Sequence, residues 1–228
     1  MTVGESIEEI RANLRRTVTA LSDARILTWY NWSQRYLADM HTYEEMQVIT
    51  STTTTSAVSL YNFPTRMKDI YTLVLSDSAN SCKLVYVNAR EFDTKVPSPS
   101  SSTTGRPGWY VDYGTQYQLF RIPDSSYTIV TRYTEFPADL VISDTSQSTT
   151  LSRKDALLCG MSTVFGFYAL RELEDASYWS GNMVTPLYKA SLETDHRDID
   201  WVPVARQYIA QEDVSGQVWK NPLVGGKW

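Results

Sequence analysis

The chain has 228 residues, 42% of them hydrophobic and 21% charged, with 26 acidic against 21 basic side chains and a formal net charge of −5. That length buries one sizeable core or two small ones, and the acidic balance argues against holding nucleic acid through a basic stripe that releases counterions. No unbroken apolar run approaches the roughly 18 residues of a membrane-spanning helix, so no membrane contact is expected. The opening Met1-Thr2-Val3-Gly4-Glu5 lacks a basic flank followed by an apolar stretch, so cytoplasmic synthesis without a secretory leader is expected. Cys82 and Cys159 stand too far apart for a zinc-binding pair and read as small buried hydrophobes. Fifteen tyrosines and seven tryptophans are many for this length. Such side chains are enriched in interface cores, which raises the expectation of an oligomer.

Two helices are predicted over the first 41 residues. Ser6 followed by Glu9 has the spacing of a capping box, and Ile7, Ile10, Leu14, Val18 and Leu21 then recur at three and four residues, with Arg11, Arg15 and Arg16 directed elsewhere. Ser22 and Asp23 can cap a second helix with Ile26, Tyr30, Ser33, Leu37 and Met40 on one face and Trp29, Trp32 and Tyr36 on another. Two apolar faces exceed what a helical hairpin buries. Asn31-Trp32-Ser33 matches a glycosylation sequon but lies inside this predicted helix.

From Thr42 to Thr150 short β-branched and aromatic runs alternate with turn residues. Strands are predicted at 46–51, 57–62, 69–76, 82–88, 108–113, 117–122 and 127–134, the pattern of an antiparallel sandwich or small barrel. The Pro, Ser, Thr and Gly loop from Pro97 to Gly108 is predicted to project. Helical periodicity returns after Ser152, an expected N-cap, with Leu157, Met161, Val164 and Tyr168 as a stripe. Gly160, Ser162 and Gly166 would allow close approach of neighbours. Gly181 and Pro186 predict a bend in the helix that follows. After Asp195 periodicity stops, yet Trp201, Trp219 and Trp228 remain, which disorder normally depletes. A docking tail is expected there.

The fold class expected is α+β: a helical bundle body (1–42 and 150–195) interrupted by an antiparallel β-sandwich or barrel-like insertion (43–149), with an extended C-terminal arm (196–228). No phosphate loop, dinucleotide fingerprint, HExxH or GxSxG occurs. With His41 and His196 as the two histidines, neither a metal site nor a cofactor is expected. Cys159 with His196 could form a nucleophile and base, but the cysteine sits in an apolar helical run that favours an inert thiol. Glu172, Glu174, Asp175 and Glu193 either face water or line an acidic pore that repels DNA phosphates. Trp29, Trp32 and Tyr36 serve either the chain's own core or a subunit interface.

Several strings resemble head-to-tail connector (portal adaptor) proteins of tailed bacteriophages. They are Trp29-Tyr30-Asn31-Trp32-Ser33-Gln34-Arg35-Tyr36-Leu37-Ala38-Asp39, Ala89-Arg90-Glu91-Phe92-Asp93 and Thr104-Gly105-Arg106-Pro107-Gly108-Trp109-Tyr110. Leu119-Phe120-Arg121-Ile122-Pro123-Asp124 and Phe136-Pro137-Ala138-Asp139-Leu140 belong to the same set, and the likeness covers roughly residues 5 to 195. The resemblance implies a non-enzymatic virion protein of the neck, forming a ring of about twelve copies. The ring would dock on the portal protein, bridge to a tail, nozzle or tail-terminator protein, and surround a channel through which DNA passes without sequence-specific binding. It implies portal contact by the arm, here Trp201, Tyr208, Trp219 and Trp228; ring closure would fall to Trp29, Trp32 and Tyr36, and the channel wall to Glu172, Glu174, Asp175 and Glu193. The alternative reading is a virion β-sandwich that binds carbohydrate or a receptor on a platform of Trp109, Tyr110 and Tyr113.

Overall fold

The computed structural model describes residues 1–76, 81–98 and 104–193, so the arm residues Trp201, Tyr208, Trp219 and Trp228, along with His196, lie outside the described residues. The chain divides into two compact units, one of described residues 1–47 and 135–193, the other of residues 48–134. Helices and antiparallel-to-mixed sheets together make it an α+β protein.

In the first unit α1 (Val3–Asn13) is capped by Thr2, not Ser6. The Glu5 amide donates to Thr2 Oγ1 at 3.3 Å and the Thr2 amide to Glu5 Oε2 at 2.8 Å, the reciprocal pair of a capping box. Ser6 is buried instead. The helix also stops earlier than the periodicity predicts: Leu14 caps it, and Arg15 follows with φ 52°, left-handed backbone that ends a helix. Val18 consequently leaves the apolar stripe and is 62% exposed. Arg11 is a second correction, because it is buried and pairs with Glu8 at 2.7 Å and with Asp23.

Helix α2 (Asp23–Met40) buries Ile26, Tyr30, Ser33 and Leu37, and Ser22 holds the cap position without a side-chain capping bond. Its polar residues tether the returning chain. Asn31 Nδ2 donates to the Leu140 carbonyl and its Oδ1 accepts from the Leu140 amide, each at 3.0 Å, while buried Gln34 donates to Ala138 O at 2.8 Å and accepts from Thr149 Oγ1 at 3.0 Å. A short 3₁₀ turn (Ser152–Lys154) leads into α4 (Asp155–Leu170), whose cap residue is Lys154 where Ser152 is expected. Leu157, Leu158, Cys159, Met161, Ser162, Gly166 and Phe167 are all buried, so α4 is covered on most of its circumference and acts as the central helix. Gly166 is needed there: a Cβ would stand 2.7 Å from Leu14 Cδ1 and 3.1 Å from Trp29 Cζ3. Arg171, with φ 63°, closes α4 before α5 (Leu173–Trp179). The region around Gly181 and Pro186 is a π-helical turn, Ser180–Val184, that runs directly into α6 (Thr185–Glu193). The wider turn absorbs a residue that cannot donate a helical hydrogen bond.

The second unit holds two four-stranded sheets. One has the order β1 (Gln47–Thr53), β8 (Thr128–Glu135), β3 (Met67–Ser76), β4 (Cys82–Lys83). The other has the order β2 (Leu60–Asn62), β7 (Gln116–Phe120), β6 (Trp109–Asp112), β5 (Val85–Tyr86). Ile70, Leu73, Leu75 and Ile129 of the first sheet meet Tyr110, Tyr117 and Leu119 of the second in one core, a sandwich without a closed barrel. Pairing of β6 with β7 is antiparallel, Trp109 opposite Phe120, whereas β5 and β6 run parallel. The predicted strand 82–88 is two short strands, followed by a helix that strand patterning missed. This α3 (Ala89–Lys95) is capped by Asn88, whose Oδ1 accepts from the Glu91 amide at 2.9 Å. Phe92 of α3 covers the outer side of β6 with Val87, Val96 and Val111, a second small core.

Candidate functional site

The three aromatic candidates on α2 part company in three dimensions. Trp29 is 3% exposed and sits in the unit's own core, with the Arg25 guanidinium 5.5 Å from its ring centroid. It has no face left for a partner. Trp32 and Tyr36 are each 52% exposed, and Met40, expected on the buried face, joins them at the surface. At 100° per residue Trp29, Tyr36 and Met40 occupy one lateral strip of the helix. Among the described residues the strip is covered at its start, where Gly166 admits α4 and Ser33 Oγ meets Ser162 Oγ at 2.9 Å. Toward the C-terminus a groove of about 360 Å³ opens, lined by Tyr36, Met40, Phe165, Val184 and Tyr188 among others. Tyr36 meets Phe165 edge to face at 6.4 Å between centroids. Beyond it, Tyr168, Leu173, Tyr178 and Met183 are exposed on α4, α5 and the π turn. An apolar, aromatic groove flanked by exposed aromatics has the composition of a protein interface and carries no convergent catalytic groups.

The acidic candidates are split rather than clustered. Glu172 is ion-paired with Arg16, and Glu174 and Asp175 are exposed in the first turn of α5, where the helix dipole favours carboxylates. Glu193 ends α6. It stands roughly 27 Å from Asp175 along a continuous helical path at about 1.5 Å per residue.

Cys159 is buried, and burial pushes its thiol up to about 11, which keeps it protonated and poorly nucleophilic at neutral pH. Among the described residues no three His, Cys, Asp or Glu side chains come together as a metal site. The carbohydrate platform does not assemble. Alternation along β6 sends fully buried Tyr110 into the sandwich core and Trp109 to the α3 side, where it stacks on Phe120 at 5.5 Å under the Lys95 ammonium. Of the three, Tyr113 alone is well exposed.

Val184 of the π turn and Tyr188 of α6 also line the groove and were missed in the sequence, because periodicity does not identify what those turns pack against. A model of the SU10 adaptor protein family matches residues 1–174, about three quarters of the chain. The match takes in α1 to α4, both sheets and Trp32 and Tyr36, and ends at the start of α5. No curated protein matches the chain.

Proposed function

Because the chain belongs to the SU10 adaptor protein family of phage head-to-tail adaptors, we propose that it assembles as a ring in the virion neck, docks on the portal and bridges to a tail protein. The observation that carries the reading is the exposed aromatic strip of α2 with the groove beside it, on a unit whose core is otherwise complete. Trp32, Tyr36 and Met40 of one copy contact the next, and one repeated heterologous contact closes the ring, of about twelve copies. Trp29, at the covered start of the strip, belongs to the core of its own copy. The arm, with Trp201, Tyr208, Trp219 and Trp228, reaches the portal; 33 residues from His196 at about 3.3 Å each span at most about 110 Å. Exposed Glu174, Asp175 and Glu193 face the channel, where negative charge repels the phosphates of passing DNA. The β-rich unit meets the tail side.

Electron microscopy of the protein mixed with the portal of the same genome tests this. The full chain is expected to give a ring stacked on the portal, lost when the chain ends at Asp200. A bare portal with both proteins folded would overturn the docking reading.

A further inference from the structure

The two sheets have four edges, and three of them are blunted by brevity. Strands β4 and β5 have 2 residues each and β2 has 3, whereas β1 has 7. Among the described residues β1 pairs with β8 on one side and stands at the edge of its sheet on the other. Proteins normally protect a long edge with lysines, prolines or bulges, because its unpaired N–H and C=O groups accept any passing strand. Strand β1 carries neither lysine nor proline. Residues 47–65 contain no charged residue, in a chain that is 21% charged, and β1 itself, Gln-Val-Ile-Thr-Ser-Thr-Thr, has neither proline nor glycine. Ile49 is 66% exposed on it, and Ser51 and Thr53 are exposed on the same face.

We propose that the β1 edge is where the tail-side neck protein binds, by adding an extended, uncharged strand to this sheet. The proposal rests on the adaptor reading above and names how the β-rich unit engages its partner. Main-chain hydrogen bonds to β1 supply the affinity, and the alternating exposed positions Ile49, Ser51 and Thr53 read the incoming side chains. A charged segment would lose hydration against an edge that offers no counter-charge. A second copy of this chain is the wrong occupant: β1 paired antiparallel with another β1 creates a twofold that closes at two copies, which a head-to-tail ring does not permit.

The test adds the purified tail-side neck protein of the same genome to portal-bound adaptor and follows amide deuterium exchange in the peptide covering β1. Exchange is expected to slow at least tenfold on binding. The double variant Ile49→Lys with Ser51→Lys is expected to keep the wild-type thermal midpoint and portal docking but bind the tail-side protein at least tenfold more weakly. Unchanged β1 exchange in a formed complex overturns the proposal. So does protection of β1 in the free chain that vanishes on truncation at Asp200, which would seat the arm there, or protection that grows with adaptor concentration, which would seat a second copy. Portal docking is read in the same samples; its failure sinks the adaptor reading, and this proposal with it, by a separate signal.

Discussion

Aromatic side chains are spent differently in the two units. In the β-rich unit they face one another: Tyr117 lies between Tyr61 and Phe63 at 5.7 and 4.7 Å, Tyr86 meets Tyr110 at 5.5 Å, and Phe120 joins Trp109 to Phe92. In the helical unit Trp29 and Tyr30 are buried, but Trp32, Tyr36, Tyr168 and Tyr178 are left at the surface. A sandwich has two inner faces that consume large rings, whereas a helix has one stripe and exposes the rest. Exposed rings are therefore concentrated in the helical unit, with Tyr113 of the β-rich unit 46% exposed.

The largest effect expected from breaking this contrast is at Phe92, the centre of the small core over β6. Phe92→Ala should cost about 3–5 kcal/mol in urea unfolding, the range for a fully buried aromatic. Gly166→Ala should cost about 1–3 kcal/mol, because its methyl meets Leu14 and Trp29. A gain in stability there would mean that α4 is free to shift away.

An alkaline loss should follow next. The Cys159 thiol titrates at about 11 in the fold against 9.0 for the ordinary group, so the unfolded chain releases the proton first. The stabilisation is whole below pH 9 and is lost as pH rises through 11, by about 3 kcal/mol at most. Burial raises the Tyr30 phenol as well and extends the decline above pH 10. Cys159→Ala should flatten the first part of this profile, measured as midpoint denaturant against pH. Slow reaction of the native thiol with an aromatic disulfide reagent is the companion observation.

The smallest effect on stability is expected at Trp32 and Tyr36. Replacing both by Ala should change the unfolding free energy of the isolated chain by about 1 kcal/mol, yet abolish ring formation seen by electron microscopy and light scattering. A large stability loss with rings intact would move these side chains from the interface to the fold.

Much of the secondary structure was legible because periodicity and turn chemistry are local. The second helix, the central helix and most strands stand within a few residues of where apolar spacing puts them. Local signals failed where two of them competed: Thr2-Glu5 and Ser6-Glu9 both have capping-box spacing, and the first wins because Ser6 is needed inside the bundle. They failed again at α3, where a seven-residue helix is too short to show a period, although Asn88 ahead of Glu91 was a cap signal in plain view. Val18 kept the spacing of a helix that had already ended.

By itself, the sequence determined the α+β class, the family, the inert character of Cys159 and the presence of one apolar face too many on the second helix. Those follow from composition, spacing and strings of neighbouring residues. The tertiary structure alone decided which aromatics remain available. Trp29 and Tyr36 share one strip of α2, and the difference between 3% and 52% exposure comes from where α4 passes, which Gly166 sets and no helical period can report. The edge of β1 is the same kind of fact, since a strand is open or paired only once the order of the sheet is known.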